Sequence, residues 1–170
     1  MRWIGALIIL FSANAIGRLF AKQFSERPRQ LRQLKSALQS LETEITYGLS
    51  PIGEAASRLS EQLPEPSRSL FYFFSEKLAQ GEASLKEAWN ETLKEFWPKT
   101  AMKKNELEIM KQFGATLGLS DRENQQKQIR LALSHLEREE AEARAAQNQY
   151  EKMLKSLGFL AGLLLVILLF

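Results

Sequence analysis

Cysteine is absent from the 170-residue chain. That single absence excludes disulfides, thiolate zinc sites, iron–sulfur clusters and cysteine nucleophiles. Histidine and aspartate are almost as scarce, with one of each, His135 and Asp121. A catalytic His–Asp pair would have to use these two. They lie about 20 Å apart along what reads as one helix, so they cannot act together within one chain. Phosphate-binding loops are missing too: "GLSPIGEA" and "GATLGLS" lack the Lys-Ser/Thr ending that such a loop needs. The net charge is only +3, without the concentrated basic surface of a nucleic-acid binder. No catalytic, cofactor-binding or metal-ligating residue emerges, and neither a cofactor nor a nucleic-acid partner is expected. The composition disfavours an enzyme.

Charge is also missing from both ends. Every acidic residue falls between Glu26 and Glu151. From Trp3 to Ala21 the only charge is Arg18. A membrane-spanning helix needs about 20 predominantly apolar residues, and Arg18 can snorkel at its boundary. The stretch from Met153 to Phe170 qualifies in the same way if Lys155 snorkels. Within it, Gly158 and Gly162 have the spacing that lets membrane helices approach closely, although glycine is common in such helices anyway. Arg18, Lys22, Arg27, Arg29, Arg32 and Lys35 follow the first apolar run, opposed only by Glu26, and Lys152 and Lys155 flank the second. Basic flanks mark the cytoplasmic side. The expected organisation is a two-pass membrane anchor, with transmembrane helices at 1–21 and 153–170 and a cytoplasmic domain at 22–152. A rival reading of the N-terminus is a cleavable signal peptide with "ANA" at 13–15. The run Arg27, Arg29, Arg32 is attributed to lipid headgroups and the topology rule.

The middle has the 3.6-residue period of helices. Leu31, Leu34, Leu38, Leu41 and Ile45 form one apolar seam, starting near Pro28 and ending at Gly48. Ser50 and Pro51 open a second helix with Ile52, Ala55, Ala56, Leu59 and Leu63 inward, and "LPEPS" stops it. A third carries Leu70, Phe71, Phe74 and Leu78, with Gly81 as its cap. Its aromatic row "FYFF" is read as core rather than as a ligand box. Ser84 and Glu87 form a capping-box pattern for a fourth helix, with Leu85, Ala88, Trp89, Leu93 and Phe96 inward and Pro98 closing it. A polar link, "KTAMKKN", leads to a fifth helix with Leu107, Met110, Phe113 and Leu117, ended by Gly118. Ser120 and Glu123 start a sixth, with Ile129, Leu133 and Leu136 inward and an i,i+4 pair Glu140–Arg144. No glycine or proline interrupts it before Gly158. It reads as one helix running from Asp121 into the membrane, with a break near Asn148 as the alternative. His135 is placed at a surface or edge, and the carboxylates are assigned to solvated faces. The fold class is all-α, a six-helix cytoplasmic bundle between two transmembrane helices.

"RWIGALIIL", "ERPRQLRQL", "LETEITYGLSPIGEA", "FGATLGLSDRENQQKQI" and "GFLAGLLLVILLF" together resemble the stage III sporulation protein AB family of endospore-forming bacteria. The resemblance covers the whole chain. A second likeness underlies it: "ITYGLSPIGEAASRLSEQL" and "LAQGEASLKEAWNETL" are similar to the F domain of type II secretion and type IV pilus platform proteins. Gly48, Glu54 and Ala55, then Gly81, Leu85, Glu87 and Ala88, occupy that pattern's positions. This chain has one such domain where platform proteins commonly have two, and fewer membrane helices, which puts a direct role in pulling pilins in doubt.

The family resemblance implies a subunit in the mother-cell membrane around the developing forespore, part of a secretion-like complex that joins the two cells. Its implied partners are the cytoplasmic secretion-type ATPase of that complex, its other membrane subunits and membrane lipid. The expected function is a platform or adaptor coupling the motor to the membrane. The alternative is a membrane scaffold that self-associates through the Leu31–Ile45 seam without a motor.

Overall fold

The computed structural model describes the backbone of residues 25–48, 50–81, 84–118 and 122–169, and their side chains except those of Arg122, Lys155 and 158–169. The expected membrane segment at 1–21, Ser120 and Asp121 lie outside the described residues. Among the described residues every regular element is helical. Helix α1 covers residues 25–46. It is followed by α2 (Ile52–Gln62), α3 (Ser67–Ala79), α4 (Leu85–Phe96), a 3-10 turn (Trp97–Lys99), α5 (Lys104–Thr116) and α6 (Arg122–Leu169). The all-α, six-helix reading is the architecture found.

Local chemistry sets several boundaries. The Ser84 backbone N–H donates to the Glu87 carboxylate at 3.0 Å, and the Glu87 N–H returns a bond to Ser84 Oγ at 3.3 Å. The bond from the Ser84 backbone, helped by its hydroxyl, holds the Glu87 carboxyl below its ordinary range. Gly81, at φ +71°, ends α3 in the left-handed conformation that a side chain disfavours. One boundary is corrected: α1 is already helical at Ser25, ahead of Pro28. A proline there forfeits only the bond to the carbonyl four residues earlier, so it does not force a start.

The core closes around Trp89. Its indole meets Phe74, Phe113 and Phe71 edge-on at centroid distances of 4.8, 5.6 and 6.3 Å. The buried indole N–H donates to the Met110 carbonyl at 2.8 Å, so the ring carries no unmet donor. Gly114 makes this packing possible, since a Cβ there would fall 1.9 Å from Trp89 Cδ1. Helices α2 to α6 pack in sequence, each on the next. The α1 seam, Leu31 to Ile45, is buried within the same chain. Phe71 and Phe74 turn into the core while Tyr72 faces outward, which settles the aromatic row of α3 as core plus edge. The polar link contributes more than expected: its Met102 is buried, as is Trp97 just before it.

Helix α6 spans 48 residues without a break at Asn148. At 1.5 Å per residue that is about 72 Å. Ile129, Ala132, Leu136 and Ala143 face the bundle, whereas Met153, Leu154 and Leu157 are exposed. Among the described residues, no helix is long and apolar enough to cross a membrane.

Candidate functional site

The most unusual chemistry lies where α1, α5 and α6 meet. Arg27 is buried, and its guanidinium donates to two glutamates from distant parts of the chain. Nε reaches Glu106 at 2.7 Å and Nη2 reaches Glu139 at 3.0 Å. Glu106 is fully buried and Glu139 nearly so. Glu106 also accepts the Lys103 backbone N–H at 2.8 Å, a donor left open at the first turn of α5. That bond and the positive end of the α5 dipole help one arginine serve two carboxylates.

The next residue of α6, Glu140, ties that helix to α1 one to two turns further along α1. It accepts from Arg32 at 3.3 Å, from Lys35 at 3.1 Å and from Arg144 on its own helix. Burial opposes ionisation of Glu140, but the bonds from Lys35, Arg32 and Arg144 together outweigh it and hold the carboxyl below its ordinary value. Near the other end of α1, Glu42 accepts from Arg130 and Gln126, each at 2.9 Å. Residues 27, 35 and 42 of α1 thus meet 139, 140 and 126–130 of α6, so the two helices run antiparallel.

These contacts overturn two expectations. Arg27 and Arg32 are engaged by α6 rather than left for lipid headgroups, and Arg29 pairs with Glu26 at 2.6 Å. Glu106, Glu139 and Glu140 are buried rather than on solvated faces. The signal for this was in the seams themselves. Arg27 precedes Leu31 by four residues, Glu106 precedes Met110 by four, and Glu139 follows Leu136 by three. All three extend a core stripe by one turn. The arrangement holds its carboxylates with cations and a backbone donor. What it can do is fix the register of α1 against α6, since a slip would strand buried charge. His135 sits half-buried on α6. The described residues contain no group of three His, Cys, Asp or Glu placed to hold a metal ion.

A family model and a curated relative match nearly the whole chain, and a solved structure matches most of it. The family model for stage III sporulation protein AB matches residues 2–170. The chain belongs to the stage III sporulation protein AB family. Stage III sporulation protein AB of Bacillus subtilis (strain 168) is 51% identical over 169 residues, covering 99% of each chain. A solved structure of a stage III sporulation protein AB superposes with a TM-score of 0.69 at 52% identity, covering 73% of this chain and 98% of that one.

In this family member, the two ends of the bundle differ. At one end the first described turn of α1 meets the link before α5, where the Ala101 N–H donates to Gln30 Oε1 at 2.8 Å. A recess of about 310 Å³ there is lined by Arg27, Thr100, Lys103, Ala143 and Ala146. Helix α6 leaves the bundle from this end. The opposite end carries Gly48, Gly81 and Gly118. The positions that resemble an F domain, Gly48, Glu54, Ala55, Gly81, Leu85, Glu87 and Ala88, therefore gather away from the exit of α6. Between α2 and α3 an open groove of about 670 Å³ includes Glu54, Glu61, Arg68, Tyr72 and Glu76. The Tyr72 hydroxyl donates to Glu76 at 2.9 Å, and this bond raises its pKa.

Proposed function

We propose that this protein is a two-pass, membrane-anchored adaptor in a secretion-like complex joining mother cell and forespore. In this reading the bundle faces the cytoplasm and couples a secretion-type ATPase to the membrane. The ATPase partner and the topology follow from the family resemblance and from the basic flanks of the apolar ends. The observation that carries the coupling role is α6. One unbroken helix forms a wall of the bundle and continues to Leu169 through the apolar stretch. It is clamped to α1 by Arg27, Arg32 and Lys35. A load applied to the bundle would pass along that helix, because straight helices transmit displacement where loops absorb it. The motor-free scaffold is disfavoured in its stated form, since the Leu31–Ile45 seam is already covered within one chain.

Replacing exposed Asn148 by proline tests the coupling. The change breaks α6 beyond its buried positions, so the bundle should fold, anchor and bind the ATPase as before while spore yield collapses. Normal spore yield with wild-type protein levels would remove the strut from the account.

A further inference from the structure

The cations near the start of α1 are neutralised by α6, yet the same end of the bundle carries others that are not. A groove of about 600 Å³ between α4 and α5 is lined by Lys94, Trp97, Lys103, Lys104, Leu107 and Lys111, and by no carboxylate. Lys111 pairs with Glu108 at 3.0 Å. Among the described residues, Lys94, Lys103 and Lys104 have no carboxylate within ion-pair distance, and all three are exposed. Lys99, beside them, reaches only the face of Phe73, 5.7 Å from its centroid. The corner is rigid, because the Trp97 indole donates to the Lys103 carbonyl at 2.9 Å and Thr100 closes the 3-10 turn onto Trp97. Elsewhere Arg27, Arg32, Lys35, Arg58 and Lys77 each have a carboxylate partner. Among the described residues Arg68, Lys86, Lys127 and Lys152 also lack an ion pair, but they lie on separate stretches of α3, α4 and α6, whereas Lys94, Lys103 and Lys104 line one groove.

Its position identifies the occupant. Lys103 shares a recess with Ala143 and Ala146 of α6. From Ala146 to Met153, where the apolar stretch begins, is about 10 Å of helix. Exposed charges interact across about 8–10 Å at physiological salt before screening removes the effect. We propose that the groove is a binding site for anionic phospholipid headgroups, which seats the bundle against the bilayer at a fixed tilt. The phosphate lies between Lys94, Lys103 and Lys104, while half-buried Leu107 at the groove's edge faces the glycerol region. Each lysine near an anionic surface strengthens docking by roughly fivefold. This inference rests on the anchoring reading above.

The test uses the full chain, which contains no native cysteine. A fluorophore is placed on Asn105→Cys beside the groove, or on Gln80→Cys at the opposite end. The chain is reconstituted in vesicles of phosphatidylcholine alone or mixed with phosphatidylglycerol, each containing a headgroup-linked nitroxide quencher. Quenching at position 105 should rise severalfold with phosphatidylglycerol, fall with added salt, and disappear in the triple variant Lys94→Glu, Lys103→Glu, Lys104→Glu. Position 80 should not respond. Equal quenching in both lipids, or none lost on charge reversal, overturns the proposal. So does soluble polyglutamate that displaces the label from anionic vesicles and occupies the groove equally well without them; it would assign the groove to an acidic protein segment. Flotation separates the two readings. A chain that floats only with anionic vesicles, in a manner abolished by the triple variant, supports the groove and sinks the anchor. A chain that floats with neither sinks both.

Discussion

Replacing Arg27 by methionine tests the clamp. The substitution keeps much of the side chain's length and removes its charge. Glu106 and Glu139 then stay in a site where they are 0% and 2% exposed, without the donors now 2.7 and 3.0 Å away. Glu106 retains the Lys103 N–H. Among the described residues, Glu139 loses its one ion-pair partner on another helix. Removing one partner of a buried ion pair costs about 3–5 kcal/mol, because the remaining charge is uncompensated. Small domains are stable by about 5–15 kcal/mol, so the variant should lose a fifth or more of its margin. Neutralising the acids as well, with Glu106→Gln and Glu139→Gln in the same chain, should recover most of the loss, since a neutral hydrogen-bonding cluster has no stranded charge. The assay is urea unfolding of residues 25–150 followed by helical circular dichroism, at unchanged slope. If Arg27→Met alone stays within about 1 kcal/mol of wild type, the clamp is not the structural device described.

The remaining expectations concern packing, acid and topology. Gly114→Ala should destabilise the bundle by about 1–3 kcal/mol in the same assay, because overpacking against Trp89 outweighs the gain of roughly 1 kcal/mol in helix propensity. A stabilised variant would mean that the Trp89–Gly114 contact is not close. Glu140 has a folded pKa below its ordinary value of 4.5, so its contribution is present above that pH and lost as pH falls through the folded value. Melting temperatures of wild type and Glu140→Gln should therefore differ at neutral pH and converge in acid; a gap that widens in acid would contradict the assignment. In intact cells, Gln80→Cys should resist a membrane-impermeant thiol reagent and a cysteine appended after Phe170 should react. Labelling of position 80 would revive the signal-peptide reading.

Much of the bundle was legible because core helices announce themselves locally. The Leu31–Ile45 seam, the Ser84–Glu87 box and the left-handed glycine at 81 each depend on residues within a few positions. The clamp was not legible in that way. Arg27 finds Glu106 and Glu139 across 79 and 112 positions, a pairing no local rule names. The residues sit on core stripes, but local rules assign Arg27 to lipid headgroups and the carboxylates to solvated faces. Gly114 was missed for a related reason. A glycine inside a helix looks like a weak position until the tryptophan occupying its vacant Cβ is known. The long α6 was legible because nothing in 122–157 could stop it.

The central claim is most directly tested by the affinity of the membrane-embedded chain for its motor. The full chain in lipid nanodiscs is titrated with the purified secretion-type ATPase of the same sporulating bacterium, with and without ATP. Specific binding is expected in at least one nucleotide condition. Absence of binding in every nucleotide condition, by a chain shown to be folded and inserted, would contradict the adaptor account.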